Sequence, residues 1–249
     1  MANLGQKLKM RILITGATGL VGQELTRQLH GAGHEVYYLT TSPNKIETKS
    51  NYKGFLWNTA KDEIDTACLD GVSTIVHLAG ASIAERWTEA YKKTILESRT
   101  ETANLLLRTL KEIDHEVKQF VSASAIGAYP SSKTQLYTES FEKYNPGFLG
   151  TVVEAWEKAA DQFETLGLEV AKVRVGVVLA KNAGALEKLI QPIKYYVGSP
   201  LGDGQQWQSW IHLEDLAGIF KEVILNKNNG VYNAVAPAPV TNETLTKEA

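Results

Sequence analysis

Short apolar runs rich in β-branched residues alternate along the chain with longer stretches in which apolar residues return every three or four positions. Met10 to Thr15 (M-R-I-L-I-T) predicts a strand, and Leu20 to Leu29 predicts a helix closed by Gly31 and Gly33. His34 to Leu39 predicts a second strand, so the first forty residues read as one βαβ unit. Phe55 to Trp57, Val72 to Leu78, Lys118 to Ser122 and Glu169 to Val178 predict further strands. Helical periodicity covers Ala84 to Ile113, with one break, and Gly150 to Leu166. This alternation predicts an α/β fold, a doubly wound parallel sheet covered on both faces.

The last third has a different texture. A helix carrying Pro192 is predicted over Ala185 to Val197, followed by a polar loop from Gly198 to Ser209. Trp210-Ile211-His212 precedes a helix over Leu213 to Leu225 and a strand over Gly230 to Ala234. Thr241 to Ala249 reads as a capped helix just beginning, so the native protein is expected to continue beyond it.

Composition narrows the classes without choosing among them. The chain has 249 residues, 22% of them charged, and a formal net charge of −2. Nothing in that balance would draw it onto nucleic acid or an anionic membrane. One cysteine, Cys68, excludes an intramolecular disulfide framework and a thiolate zinc site, and the five histidines show no paired ligand spacing, so no metal is expected. No apolar run reaches membrane-spanning length and no secretory h-region opens the chain, so the expected location is cytoplasmic.

The sharpest local signal is T-G-A-T-G-L-V-G, Thr15 to Gly22, set between the first strand and the first helix. Gly16 permits the tight turn, Gly19 lets a pyrophosphate approach the backbone, and Gly22 lets helix and strand pack closely. The helix start offers free N–H groups to phosphate, so Gly16, Thr18, Gly19, Leu20, Val21 and Gly22 are the candidate dinucleotide contacts. The second strand ends Leu39-Thr40-Thr41-Ser42, with no carboxylate for a ribose 2′-hydroxyl. Thr41 and Ser42 offer hydrogen bonds to a 2′-phosphate and Lys45 offers charge, so NADP(H) is expected in preference to NAD(H).

These residues resemble a family. T-G-A-T-G-L-V-G, His77-Leu78-Ala79-Gly80 and the segment Gly202-Asp203-Gly204 through Trp210-Ile211-His212 to Asp215 are similar to motifs of the extended short-chain dehydrogenases/reductases. Ala79 to Ala90, Glu97 to Thr102, Ser122 to Tyr129, Glu154 to Glu157 and Arg174 to Leu179 resemble an atypical, epimerase-like branch. The resemblance covers nearly the whole chain, and family members usually run longer at the C-terminus. It implies an NAD(P)-binding Rossmann domain over residues 10–180 and a small C-terminal substrate lobe over 181–249, interleaved with the last strands. It also implies that Leu78, Ala79 and Gly80 line the cofactor. An unknown small molecule is the expected substrate, and many relatives dimerise through the long helices, which leaves a homodimer open.

Superfamily members use a Ser or Thr, a Tyr, and a Lys four residues after the Tyr. Ser124 fits the serine position, with Ser122 as its alternate and a neighbour of the cofactor. Leu149 and Val153 stand at the Tyr and Lys places and neither moves a proton, so the pair is read as absent. Tyr129-Pro130-Ser131-Ser132-Lys133 has the spacing but falls in a loop, where chance is the better explanation. Tyr129 alone is a candidate substrate-side hydroxyl, or else a packed aromatic. Arg86 and Arg99 are candidates to grip an anion, Glu154 is read as a solvated carboxylate, and His212 as a structural histidine. Gln208 stands where sugar-nucleotide enzymes often carry an arginine, which weakens that substrate reading. An epimerase or oxidoreductase with a non-standard site is expected, with an NADP(H)-binding regulatory module as the alternative.

Overall fold

The structure is a computed structural model that describes residues 9–181, 183–194 and 198–248. In chain order the elements are β1 (Arg11–Thr15), α1 (Leu20–Gly31), β2 (Glu35–Thr40), β3 (Thr48–Lys49), β4 (Tyr52–Asn58), β5 (Glu63–Ile64) and β6 (Thr74–His77). Then come α2 (Glu89–Glu112), β7 (Gln119–Ala125), α3 (Phe148–Asp161), β8 (Glu169–Val175), β9 (Val177–Ala180) and α4 (Gly184–Lys194). The chain continues with β10 (Trp207–Gln208), β11 (Trp210–His212), α5 (Leu213–Leu225), β12 (Gly230–Ala234), β13 (Val240–Thr241) and α6 (Asn242–Glu248). The end of the predicted helix over Ala185 to Val197 includes residues 195–197, which lie outside the described residues.

The main sheet runs β12-β8-β7-β6-β1-β2-β4-β3, with β5 paired beside β4. From β12 to β4 every pairing is parallel. Strand order reverses between β1 and β6, and in such sheets the crevice at the strands' carboxyl ends is where ligands bind. Both faces are buried, which explains why the strands read as nearly continuous apolar runs. Ile12 and Ile14 point into one layer with Leu25, Leu29 and Phe220 from α1 and α5. Leu13 points the other way, with Leu106, Leu110 and Phe163 from the α2 and α3 side. Among the described residues no helix is long and apolar enough to cross a membrane.

Two boundaries differ from the sequence expectation for identifiable reasons. The predicted helix from Ala84 begins only at Glu89, because Thr88 caps it by accepting from the Tyr91 amide at 3.2 Å. The preceding loop is held by the Trp87 indole donating to the Ile83 carbonyl and the Tyr91 hydroxyl donating to the Ser82 carbonyl. The predicted strand Glu169 to Val178 is two strands broken at Gly176. A Cβ at Gly176 would stand 2.5 Å from the Ser209 carbonyl oxygen. There the chain leaves the main sheet, and β9 pairs with β11 instead.

Candidate functional site

The glycine turn sits at the crevice between β1 and β6. Thr15, fully buried, accepts from the amides of Leu78 at 3.2 Å and Ala79 at 3.1 Å, which fastens the end of β1 to the segment after β6. Gly16 adopts φ +76°, and a Cβ there would lie 3.0 Å from the Leu78 carbonyl. A Cβ on Gly22 would lie 2.3 Å from the Gly16 oxygen, so the turn closes onto α1 only with glycine at both places. The α1 cap is Gly19, which has no side-chain bond to offer, and no acid lies in the first turn. The first helical bond runs from Gln23 to Gly19, so the amides of Leu20, Val21 and Gly22 precede the ladder. Thr18 keeps its carbonyl on the Gln23 side chain at 2.8 Å.

The structure brings Gly16 to Gly22, Leu78, Ala79, Gly80 and Arg99 to one crevice. Arg99 lies beneath Gly80, its guanidinium carbon 3.0 Å from where a Gly80 Cβ would be. It donates to the carbonyls of Ile95 and Ala81 and covers Trp156 at 5.0 Å. Thr41 and Ser42 follow the end of β2, whose Leu39 pairs with Thr15, so they stand on the same edge of the sheet. Thr41 is exposed, and the Ser42 amide donates to Thr40. Ser122 is buried and donates to the Ala123 carbonyl at 2.8 Å.

A second constellation lies further along the sheet. Ser124 on β7, Arg174 on β8 and Asn233 on β12 occupy one register row. Glu157 of α3 enters this row from the helix layer, 2% exposed. Its Oε1 accepts from the Ser124 hydroxyl at 2.5 Å and from Arg174 Nε at 2.8 Å. Its Oε2 accepts from Arg174 Nη2 at 2.9 Å and from the Tyr144 hydroxyl at 2.7 Å. Arg174 Nη1 donates to the Tyr129 hydroxyl at 2.9 Å, and that hydroxyl donates to Asn233 Oδ1 at 2.7 Å. The ring of Tyr129 stacks on Tyr137, with centroids 5.4 Å apart.

Charge is settled inside this row. Burial pushes the Glu157 carboxyl upward, but donation by Arg174, Ser124 and Tyr144 prevails and holds it below the usual range. Burial works against the Arg174 charge as well, yet its bonds to Glu157 and Tyr129 hold the guanidinium more firmly protonated than usual. Burial and the bond to Glu157 push the Tyr144 phenol well up. Tyr144 therefore stays protonated at neutral pH and serves as a donor to Glu157.

The remaining candidates separate. Leu149 and Val153 face the loop after β7, 3.5 and 3.9 Å from where a Gly127 Cβ would be, so hydrocarbon fills the space beside that loop. Tyr129 and Lys133 turn to different partners, Lys133 pairing with Asp203 at 2.6 Å. Glu154 pairs with Lys158 across one turn of α3. His212 caps α5, its Nδ1 accepting from the Glu214 amide. His77 is buried against Phe120, and burial lowers it to about 3, so it stays neutral.

Glu157, Arg174, Tyr144 and Asn233 did not emerge as site residues from the sequence. Two signals were available. Glu157 falls on the apolar stripe of α3 with Val153 and Ala160, and Arg174 interrupts a run of valines in β8.

Comparison with known proteins agrees with this architecture. The family model described as NAD dependent epimerase/dehydratase family matches residues 12–235. The epimerase family protein SAR0825 of Staphylococcus aureus (strain MRSA252) is 36% identical over 228 residues, which cover 91% of this chain and 75% of that protein. The human epimerase family protein SDR39U1 (isoform 2), solved with NADPH, is 32% identical at a TM-score of 0.79, covering 94% of this chain and 77% of that one. A nucleoside-diphosphate sugar epimerase from Corynebacterium glutamicum is 33% identical at a TM-score of 0.81, covering 97% of this chain and 49% of that one. The chain therefore belongs to the NAD dependent epimerase/dehydratase family, as an extended short-chain dehydrogenase/reductase of the epimerase-like branch.

Proposed function

We propose that this protein binds NADP(H) in the crevice between β1 and β6 and acts as an epimerase or oxidoreductase on a small molecule, without the Tyr-x-x-x-Lys pair. The observation that carries the reading is the turn at Gly16 to Gly22, fastened by Thr15 and opening on a helix N-terminus with neither a side-chain cap nor an acid. The cradle fits a dinucleotide, since a Cβ at Gly22 would strike backbone and close it. Leu78, Ala79, Gly80 and Ser122 would line the site, and Arg99 would meet the phosphates. The 2′-phosphate is favoured because β2 ends at Thr40 and is followed by Thr41, Ser42 and Lys45, with no carboxylate among them to repel it. The human relative solved with NADPH supports the same preference.

When bound, the dinucleotide supplies or accepts hydride. Proton handling falls to this chain's own residues. Tyr129 is the phenol whose oxygen receives a hydrogen bond from a cation, Arg174, and that cation is itself held by Glu157. Ser124 spends its proton on Glu157, so it acts here by keeping that carboxylate charged and still. Asn233 orients the Tyr129 hydroxyl from the β12 side.

A second reading is a cofactor-binding regulatory module without turnover. The hydrocarbon of Leu149 and Val153 at the Tyr and Lys places favours it. The two readings part on one experiment. The reduced-nicotinamide absorbance of NADPH is followed with the protein and a panel of carbonyl compounds. Consumption that is lost in Tyr129→Phe supports the enzyme. Tight NADPH binding with no consumption by any carbonyl supports the module.

A further inference from the structure

The segment between β6 and α2 carries two large apolar side chains to the surface. Ile83 is 51% exposed and Trp87 is 39% exposed. Both are fixed in place. The Trp87 indole donates to the Ile83 carbonyl at 2.9 Å, and the Tyr91 hydroxyl donates to the Ser82 carbonyl at 2.8 Å. Upstream, the Ala81 amide donates to Ser98 Oγ at 2.9 Å, which anchors the segment on α2 where it leaves the crevice. A tryptophan held this firmly yet left so exposed is not filling a core.

The first turn of α3 extends this surface. The Trp87 ring meets the Phe148 ring edge-on, with centroids 5.4 Å apart, and Phe148 is itself half-buried. Leu149, also half-buried, turns to the loop after β7, its Cβ 3.5 Å from where a Gly127 Cβ would be. Gly127 lies two residues before Tyr129. An apolar strip therefore runs from beside Gly80, over Ile83, Trp87, Phe148 and Leu149, to the loop that carries Tyr129. The cation against it, Lys92, lies 5.6 Å from the Phe148 ring and is already paired with Glu89. Glu85 and Arg86 of the same segment are exposed, the polar surroundings usual beside an apolar binding surface.

We infer that this strip is a wall of the substrate site, and that the substrate is a carbonyl compound or alcohol whose reacting carbon is attached to an aromatic or branched aliphatic body. This rests on the oxidoreductase reading above. In the reducing direction the carbonyl carbon takes the hydride and its oxygen takes a proton, which leaves an alcohol and NADP+. The strip joins the crevice at one end and the Tyr129 loop at the other, so a molecule lying along it reaches both. An aromatic body gains there by burial and by contact with Trp87. The hydroxyls of a sugar laid along the same side chains would give up water without gaining partners. These side chains also fall far short of the area that a stable interface with a second copy needs, about 800 Å² per partner.

The test compares wild type, Trp87→Ala, Ile83→Ser and Leu136→Ser, the last an apolar residue 85% exposed and outside the strip. Acetophenone and UDP-glucose are titrated by calorimetry into each protein saturated with NADP+, and NADPH consumption is followed with glyceraldehyde, cyclohexanone and acetophenone. Wild type is expected to bind acetophenone more tightly than UDP-glucose and to prefer acetophenone to glyceraldehyde in kcat/KM. Trp87→Ala is expected to weaken acetophenone roughly tenfold and to lower that preference to match. Ile83→Ser acts in the same direction, and it decides the matter if Trp87→Ala fails to fold. Leu136→Ser behaves as wild type. Acetophenone affinity equal in wild type, Trp87→Ala and Ile83→Ser overturns the wall. Tighter binding of UDP-glucose than of acetophenone overturns the substrate class. Loss of self-association in Trp87→Ala by sedimentation velocity, with acetophenone binding unchanged, assigns the strip to a second copy and overturns the proposal. Acetophenone binding that depends on Trp87 and Ile83 without any NADPH consumption refutes the oxidoreductase reading and leaves the wall standing.

Discussion

Arg174 and Glu157 meet side-on beneath the sheet, Nε on Oε1 at 2.8 Å and Nη2 on Oε2 at 2.9 Å, with side chains 6% and 2% exposed. The register of β7, β8 and β12 places Ser124 and Asn233 on either side of Arg174. One ion pair thus ties α3 to β7 and β8 and, through Tyr129 in the loop beyond β7, reaches Asn233 on β12. Removing either partner alone strands a buried charge. Glu157→Gln or Arg174→Met should each cost about 3–5 kcal/mol in urea unfolding. The double variant should cost clearly less than the sum of the two. Additive losses would mean that the pair is not coupled.

Ser124→Ala removes one of the donors that keep Glu157 charged. A loss of about 1.5–3 kcal/mol is expected, the range for a hydrogen bond to a charged group. An unchanged unfolding midpoint would show that the Ser124 hydroxyl does not serve Glu157 in solution.

Acid sensitivity should begin well above the carboxylate range, because of His77. Its folded value is lowered to about 3 from 6.5 by burial, so between those pH values the unfolded chain binds a proton that the folded chain does not. Stability is therefore full above pH 6.5 and falls on acidification toward 3, by about 1.4 kcal/mol per pH unit. Glu157, also lowered, adds its own loss only below the ordinary carboxylate value, as pH falls through its folded value. Unfolding free energies from pH 6.5 down to 5 isolate the first effect. His77→Asn should flatten that slope, and an unaltered slope would count against it.

Gly22→Ala should damage the turn and the helix packing together, because its Cβ would stand 2.3 Å from the Gly16 oxygen and 2.6 Å from Ala17 Cα, both backbone atoms. A stability loss of about 1–3 kcal/mol is expected in unfolding, with weakened NADPH binding in calorimetry. Full stability with full affinity would show that the turn has room the structure denies it.

The sheet and the turn were legible in the sequence because their signals are local. The T-G-A-T-G-L-V-G turn needs only a strand before it and a helix after it, and α5 and β12 run over the residues expected from periodicity and glycine punctuation. The ion pair was not legible, because it is a product of register. Ser124, Glu157, Arg174 and Asn233 are scattered over more than a hundred positions, and only parallel pairing aligns three of them. The break at Gly176 was hidden for the same reason, since the Ser209 carbonyl that forbids a side chain there comes from a distant loop.

The most direct test of the account is a calorimetric titration of the purified chain with NADPH and with NADH under identical conditions. Saturable one-site binding of NADPH and markedly weaker binding of NADH are expected, from a turn built for pyrophosphate and a β2 terminus without a carboxylate. Equal or tighter binding of NADH would contradict the role given to Thr41, Ser42 and Lys45. Absence of binding by either would contradict the cofactor site itself.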